Sequence, residues 1–138
     1  KRLCRRVQHR FRFRARFDQL ALGEVLLEYV ENRGVEAAEK LFAELKSENF
    51  KGIYVEQSQL RGLGFSLLSQ QKFAGAIAFF RWNTELFPQS SGAHENLGEA
   101  YAKNGQRDLA MASFEKAIAL DPKNASAAKE LADLKAAK

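Results

Sequence analysis

Cysteine, histidine and proline are scarce in this sequence, which contains one, two and two of them, respectively. The single cysteine, Cys4, cannot form a disulfide within the chain. The two histidines, His9 and His94, have no further nitrogen or sulfur ligand at the spacing of a zinc site. We therefore expect no internal disulfide and no metal site.

Long apolar runs are also absent. No stretch approaches the roughly 20 apolar residues that cross a bilayer, and the first residues lack the charged and then apolar pattern of a secretory signal. These absences predict no membrane insertion and favour a cytoplasmic location. The sequence begins at Lys1 rather than Met, which leaves open an upstream segment with a signal or a catalytic domain. At 138 residues, 46% hydrophobic and 28% charged, the composition is that of one globular domain.

Acidic residues are missing before Asp18. Eight of the 22 basic residues lie between Lys1 and Arg16, which leaves 14 basic residues against 17 acidic ones in the rest of the chain. The formal charge of +5 therefore divides into a strongly basic N-terminus and a remainder of −3. The sequence predicts a basic arm, residues 1–18, attached to a mildly acidic body.

Arginine and phenylalanine alternate within this arm, and a period of two places the apolar side chains on one face of a strand. The candidate contact residues are Arg10, Phe11, Arg12, Phe13, Arg14 and Arg16. No second strand-like run is evident in the sequence. Pairing with the arm of another copy, addition to a sheet of a missing domain, and a helical extension therefore stay open. The same residues offer phosphate contacts and stacking surfaces for nucleic acid, although self-association or a solvated linker is favoured.

One pattern of small and large residues occurs twice between Gln57 and Asn124. The second copy consists of Leu97, Gly98, Tyr101, Ala110, Phe114 and Pro122. The first copy has, at the same offsets, Leu63, Gly64, Leu67, Ala76, Phe80 and Pro88. This spacing resembles the tetratricopeptide repeat, with His94, expected to be a partly buried packing residue, where that family usually has Trp. The resemblance implies an all-α, right-handed superhelical array of antiparallel helix pairs, whose concave surface is lined mainly by first helices.

The spacing also has a physical explanation, because antiparallel helices approach closely only where side chains are small. Gly64 and Gly98 on the first helices are expected to face Ala76 and Ala110 on the second helices. Asn104 and Gly105 suit the turn between the two helices, because both residues tolerate a positive φ angle. Small residues at these positions therefore predict that each helix pair nests against the next.

Sequence patterns typical of helices continue on both sides of the two matched copies. A helical pattern from Leu20 is broken at Gly34 and resumes at Val35, which indicates a degenerate third copy, followed by a loop over residues 47–55. Pro88 and Pro122 end the second helices, and Asn124 is expected to cap a final helix. The expected organisation is an arm at 1–18 and a helical domain at 19–138, comprising a degenerate repeat 19–52, repeats 57–90 and 91–124, and a capping helix 125–138.

A second resemblance spans about residues 20–127. Its stretches include Val25–Glu28, Gly34–Ala38, Leu63–Leu68 and Leu97–Tyr101. These are similar to the C-terminal helical tail of some bacterial serine hydrolases, namely beta-lactamase-like and esterase proteins. The resemblance implies a helical tail without the catalytic domain.

Nothing in the sequence supports catalysis. Ser-x-x-Lys pairs occur at Ser69/Lys72, Ser113/Lys116 and Ser126/Lys129. The Ser-Asp-Asn and Lys-Thr-Gly elements that accompany this motif in penicillin-recognising enzymes are missing, and Gly62-x-Gly64 lacks the third glycine of a phosphate-binding loop. We therefore expect neither an enzyme nor a cofactor.

First-helix positions that the core does not use are expected to line the concave groove. The candidates are Arg61, Phe65, Ser69, Glu95, Asn96, Glu99, Lys103 and Lys129, with Ser58, Leu68 and Asp133 beside them. Chaperone-binding tetratricopeptide proteins grip a terminal carboxylate with two Lys, an Arg and two Asn. Here Asn96 matches one of these positions, but Phe65 replaces the second Asn. Because Glu95 and Glu99 would repel an acidic tail, we expect an extended or helical segment with basic or apolar anchors.

The sequence thus predicts a non-catalytic protein-interaction or assembly scaffold that binds a peptide segment in its groove and self-associates through the arm. The alternative is nucleic-acid binding through the basic arm.

Overall fold

The computed structural model describes residues 20–137. Its helices are α1 (Leu22–Arg33), α2 (Val35–Ser47), α3 (Gln57–Ser69), α4 (Phe73–Leu86), α5 (Ser91–Lys103), α6 (Arg107–Leu120) and α7 (Ala125–Ala136). Two short strands, β1 (Leu20–Ala21) and β2 (Ile53–Tyr54), complete the described elements. The all-α architecture built from helix pairs, expected from the repeated pattern, is confirmed. The chain divides into two compact units, and the division falls within α3, between Leu60 and Arg61.

In the first unit, α1 and α2 pack against each other. Their apolar faces supply the core residues Leu22, Val25, Leu26, Ala38, Leu41, Phe42 and Leu45. Gly34 separates the two helices with φ 88° and ψ 165°, a conformation that is essentially restricted to glycine. The predicted break at Gly34 is therefore confirmed.

A hydrogen-bonded turn ends α2. The Asn49 N–H donates to the Lys46 carbonyl at 2.9 Å, and the Phe50 N–H donates to the Leu45 carbonyl at 2.8 Å. These two bonds form a Schellman motif, with Asn49 in the left-handed region at φ 55°. The Phe50 ring lies 5.8 Å from the Phe42 ring, so the residues after the helix pack back onto it.

The loop expected at residues 47–55 contains β2, which pairs in parallel with β1. Leu20 lies opposite Ile53, and Ala21 lies opposite Tyr54. The expectation that the chain has no second strand-like run was therefore wrong, and α1 begins at Leu22 rather than at Leu20. Two-residue strands carry no detectable alternation, which is why the sequence pattern does not show them.

In the second unit, consecutive helices from α4 to α7 pack against one another. The core between α6 and α7 consists of Ala110, Phe114, Ala117, Ala127 and Leu131, with Tyr101, Met111, Ile118 and Leu134 packed at its edge. As expected, α4 ends at Leu86 and α6 ends at Leu120, each shortly before a proline. Asn124 caps α7 by accepting a hydrogen bond from the Ala127 N–H at 3.0 Å.

The turns after α3 and α5 occupy equivalent places in the two repeats. After α3, the Gln71 and Lys72 N–H groups donate to the Leu68 and Leu67 carbonyls at 3.0 and 2.9 Å, and Gln71 has φ 59°.

After α5, the Gly105 and Gln106 N–H groups make the same two bonds to Ala102 and Tyr101, at 3.0 and 2.9 Å, and Gly105 has φ 78°. Asn104 has φ −85°, so of the two residues expected to suit this turn only Gly105 takes a positive φ. A left-handed residue directly after the helix end is the usual geometry of this motif.

Candidate functional site

The first helices of the two repeats are held by the same close contact. An ideal Cβ atom placed on Gly64 would lie 2.6 Å from the Phe80 ring, and one placed on Gly98 would lie 2.8 Å from the Phe114 ring. The nearest neighbours of both glycines are therefore phenylalanine rings rather than Ala76 and Ala110, because a ring reaches further across the helix interface than a methyl group. These equivalent contacts orient α3 and α5 in the same way against their second helices.

The candidate groove residues lie on three of the helices. Arg61, Phe65 and Ser69 belong to α3, Glu95, Asn96, Glu99 and Lys103 belong to α5, and Lys129 belongs to α7. The constant offset between repeats makes two rows of equivalent positions. One row is Arg61, Glu95 and Lys129, and the other is Phe65, Glu99 and Asp133. Leu68, which was expected beside the groove, is buried and belongs to the core.

Phe65 is the apolar feature of this set. Its side chain is 36% exposed, and its ring meets the Phe80 ring edge-on, with centroids 5.1 Å apart and an interplanar angle of 69°. This aromatic pairing fixes the exposed ring on a fully buried neighbour. Phe65 therefore packs against a core ring and still presents part of its own ring to solvent.

The two carboxylates on α5 have different surroundings. Glu99 lies 3.7 Å from Lys103, one helical turn away, and both side chains are substantially exposed. Such an exposed pair contributes about 0–1 kcal/mol to stability, so a competing cation readily displaces Lys103 from Glu99. Glu95 instead accepts a hydrogen bond from the Asn124 amide at 2.8 Å.

Asn124 joins three helices, a role that its prediction as a cap did not include. Its amide nitrogen also donates to the Ser91 hydroxyl at 3.0 Å, and that hydroxyl donates to the Ala117 carbonyl at 2.8 Å. The network connects the start of α7 to α5 and to the end of α6. Residues 91 and 124 delimit the predicted second repeat, but nothing in the spacing pattern indicates that their side chains meet.

The other residues singled out by sequence take local roles. The Ser69 hydroxyl donates to the Ser66 carbonyl at 2.8 Å, Ser113 is buried, and Ser126 is exposed. His94 is half-buried, with Nε2 3.1 Å from the Pro88 carbonyl oxygen, in agreement with a packing residue.

Residues 20–137 contain neither a metal-binding cluster nor a helix suited to cross a membrane. Within that range, no group of three or more histidine, cysteine or acidic side chains is arranged to hold a metal ion. Nor is any helix in that range both long and apolar enough to cross a membrane. The candidate residues of the arm, Arg10 to Arg16, lie outside the described residues.

Comparison with known proteins agrees with this geometry. Residues 91–124 match the family model of the tetratricopeptide repeat. The tetratricopeptide repeat domain-containing protein PYG7, chloroplastic, from Arabidopsis thaliana is 37% identical over 62 residues, which are 45% of this chain and 21% of that protein. This chain therefore spans about a fifth of that relative's length.

A solved structure titled MamA AMB-1 superposes with a TM-score of 0.52 at 20% identity, covering 82% of this chain and 60% of that one. At this identity the similarity shows the fold alone.

The fold and the repeated glycine–phenylalanine contact define a helical repeat protein built from stacked hairpins. More specifically, residues 91–124 of this chain match the tetratricopeptide repeat. The resemblance to the tails of serine hydrolases stays a prediction. Stacked helical repeats of this kind serve as protein-interaction and assembly modules.

Proposed function

We propose that this protein is a non-catalytic interaction or assembly module that binds a peptide segment of a partner protein across the first helices of its repeats. The observation that carries this proposal is Phe65, an exposed aromatic ring held edge-on against the buried Phe80. Exposed aromatic side chains on a rigid scaffold are typical anchors of binding sites, because little rotamer entropy is lost when a ligand packs against them.

The side chains of the row Phe65, Glu99 and Asp133 suggest which residues the ligand contains. Glu99 and Asp133 stand at the positions equivalent to Phe65 in the next repeat unit and in the capping helix. A segment that places an apolar side chain on Phe65 and a basic side chain toward these carboxylates satisfies this row. A segment ending in acidic residues would be repelled by it.

Selection from a peptide library on the intact chain tests this proposal. Peptides that bind the groove are expected to be rich in basic and apolar residues. Their affinity is expected to fall about tenfold or more in Phe65→Ser and in Glu99→Lys, because each change removes one anchor. The matched control is Leu109→Ser, which changes an exposed apolar residue of α6 that is 47% exposed and is not a candidate groove residue.

Thermal unfolding of all three variants separates loss of binding from loss of folding. Peptides that bind the Phe65 and Glu99 variants as tightly as the unmodified chain would place the binding surface elsewhere.

Nucleic-acid binding through the arm is the second candidate, favoured by the eight basic residues that precede Asp18. Filter binding of single-stranded oligonucleotides across a salt series distinguishes the two functions. Arm-mediated binding would weaken steeply with salt and would disappear when Lys1–Arg16 is deleted. Oligonucleotide binding to the filter-bound protein that survives the deletion, or that does not change with salt, would contradict this candidate.

A further inference from the structure

The turn between α5 and α6 contains the dipeptide Asn104–Gly105, and no other asparagine of the chain is followed by glycine. We infer that Asn104 is a site of spontaneous deamidation, and that the folded turn restrains the reaction until the α5–α6 hairpin opens. The rate of this modification therefore reports how often the second repeat loosens. The inference does not depend on the proposed peptide groove.

The reaction needs only the chain and water. The backbone nitrogen of Gly105 attacks Cγ of Asn104, the Cγ–Nδ2 bond breaks, and ammonia leaves with the proton of the Gly105 N–H. Water then opens the resulting succinimide ring. Hydrolysis at Cγ gives aspartate, and hydrolysis at the backbone carbonyl carbon gives isoaspartate. The net change consumes one water molecule and releases one ammonia molecule.

The residue after Asn104 and the exposure of the turn both favour the reaction at this position. Glycine has no side chain to obstruct the attacking nitrogen, whereas every other asparagine of the chain precedes a residue with a side chain. Asn104 is exposed, and its side-chain nitrogen donates to Gln106 Oε1 at 2.8 Å. Water and hydroxide can therefore reach the amide.

The folded backbone keeps the reacting atoms apart. Asn104 has ψ 2°, so the Gly105 nitrogen eclipses the backbone nitrogen of Asn104 about the Cα–C bond. The Cβ atom, which carries the side-chain amide, lies about a third of a turn away around the tetrahedral Cα. A five-membered ring places Cβ and the Gly105 nitrogen on the same side of that bond. The peptide plane must therefore rotate before Asn104 can react.

Two backbone hydrogen bonds oppose this rotation. The Gly105 N–H donates to the Ala102 carbonyl at 3.0 Å, and the Gln106 N–H donates to the Tyr101 carbonyl at 2.9 Å. The first bond also holds the proton that the attacking nitrogen has to lose. Rotation of the peptide plane breaks this bond and displaces the residues that make the second. Ring closure therefore requires local opening of the hairpin.

The packing of α5 against α6 determines how often the hairpin opens. An ideal Cβ atom on Gly98 would lie 2.8 Å from the Phe114 ring, so Gly98→Ala strains the hairpin without changing the reacting dipeptide. When opening and closing are fast, the reaction rate of the folded chain is the rate in the open chain multiplied by the open fraction. A larger open fraction therefore gives faster deamidation.

Conversion changes the turn permanently. Isoaspartate inserts a methylene group into the main chain between residues 104 and 105, which shifts the donors of both turn hydrogen bonds. Either product also places a carboxylate at the C-terminus of α5, where the helix dipole disfavours a negative charge. The modification therefore loosens the hairpin in a single irreversible step.

Incubation of the intact chain in mildly alkaline buffer tests this inference against a synthetic peptide of residues 100–110. Electron-transfer mass spectrometry detects the gain of one mass unit at residue 104 and distinguishes aspartate from isoaspartate. Asn104 is expected to convert about tenfold or more slowly in the folded chain than in the peptide. Hydrogen exchange of the Gly105 amide, measured by nuclear magnetic resonance, is expected to be slowed by a similar factor, because both reactions need the same N–H released.

Two variants show whether opening of the hairpin controls the rate. Gly98→Ala is expected to speed the conversion of Asn104 about threefold or more, whereas the matched control Gly62→Ala leaves it unchanged. In strong denaturant, the two variants and the unmodified chain are expected to convert at one rate. If Gly98→Ala is poorly folded, the unmodified chain in urea below its unfolding transition gives the same test, with a conversion rate that rises with urea.

Three outcomes would overturn the inference: conversion of Asn104 in the folded chain at the peptide rate, equal rates in Gly98→Ala and the unmodified chain, or no conversion in either chain during an incubation many times longer than the peptide needs. The isoaspartate product, separated by ion exchange, is expected to melt at a lower temperature than the unmodified chain. Equal melting temperatures would show that the modification does not loosen the hairpin.

Discussion

The Phe80 and Phe114 rings occupy the space in which a side chain would begin at Gly64 and Gly98. Both rings are fully buried and cannot swing into solvent. The requirement for glycine at these two positions is therefore steric, and it is the same in both repeats.

Gly64→Ala and Gly98→Ala are each expected to lower the free energy of unfolding by about 1–3 kcal/mol, because the added methyl group overpacks a rigid interface. Gly62→Ala is the matched control, since Gly62 lies in the same helix as Gly64 and, in the part of the chain that the structure describes, no atom lies within 4 Å of its ideal Cβ. This control should raise stability by about 0.5–1 kcal/mol through helix propensity. Urea denaturation followed by circular dichroism measures the free energy of unfolding of all three variants. The same change in Gly62→Ala as in the other two would disprove the steric argument.

Asn83 is a different kind of residue, because it is 0% exposed and neither its side-chain nitrogen nor its side-chain oxygen has a hydrogen-bond partner among residues 20–137. Its equivalent in the second repeat is Ala117, which is also fully buried. Leaving a buried polar group unpaired costs about 1–3 kcal/mol. Asn83→Ala is therefore expected to leave stability unchanged or raise it by about 1 kcal/mol, even though packing contacts are lost. A loss above about 2 kcal/mol in chemical denaturation would show that the amide has a partner, such as a buried water.

At the scale of single elements, the turns after α3 and α5 have one geometry and different residues at the left-handed position. Gln71 and Gly105 occupy equivalent positions and make the same pair of backbone hydrogen bonds. An ideal Cβ on Gly105 meets no atom of the described residues within 4 Å, so substitution there is expected to change mainly backbone strain.

Gly105→Ala should lower the free energy of unfolding by about 1 kcal/mol, because the left-handed conformation is unfavourable for residues with a Cβ atom. Gln71→Gly should raise it by about 0.5–1 kcal/mol for the same reason. Thermal denaturation of the two single variants and the double variant checks this pair of opposite effects. Melting temperatures that shift in the same direction in Gly105→Ala and Gln71→Gly would contradict the shared turn geometry.

The start of α7 depends on Asn124 as a cap and as a bridge. The side chain accepts from the Ala127 N–H and donates to Ser91 and Glu95. Asn124→Ala removes all three hydrogen bonds and should lower the free energy of unfolding by about 1–2 kcal/mol or more.

Asn124→Asp separates the two roles, because aspartate keeps the capping acceptor but cannot donate to Glu95 and places a second carboxylate beside it. We expect this variant to be less stable than the unmodified chain by about 1 kcal/mol. Urea titration at neutral pH measures the difference. Stability equal to that of the unmodified chain would mean that the bridge to α5 contributes nothing.

At the scale of the whole molecule, the chain has two compact units, one up to Leu60 and one from Arg61 onward. Stability in repeat proteins is built from local units and their nearest neighbours, so a destabilising change is felt mainly close to its own repeat.

Gly98→Ala should therefore increase hydrogen exchange in α5, α6 and α7 while leaving the amides of α1 and α2 close to their original protection. Exchange measured by mass spectrometry on peptic fragments resolves these segments. Uniform loss of protection from α1 to α7 would show instead that the chain unfolds as one cooperative body. The Gly62→Ala variant serves as the control, with no increase expected in any segment.

The arrangement of helix pairs was predictable from the sequence because it depends on local rules. Leucine, glycine, phenylalanine and proline recur at one constant offset, and each acts on its own helix pair through packing, close approach or helix termination. The break at Gly34 and the cap at Asn124 follow from similarly short-range chemistry, so they too were anticipated correctly. The choice of groove positions follows from the same periodicity and stays a prediction.

Only the tertiary structure decided which distant residues meet. The ring contacts of Gly64 and Gly98, the pairing of Leu20 with Ile53, and the bond between Glu95 and Asn124 all join positions on different elements of the chain. Composition and periodicity specify which face of an element is apolar. They do not specify which atoms of that face touch, because this depends on how far each side chain reaches across a packed interface.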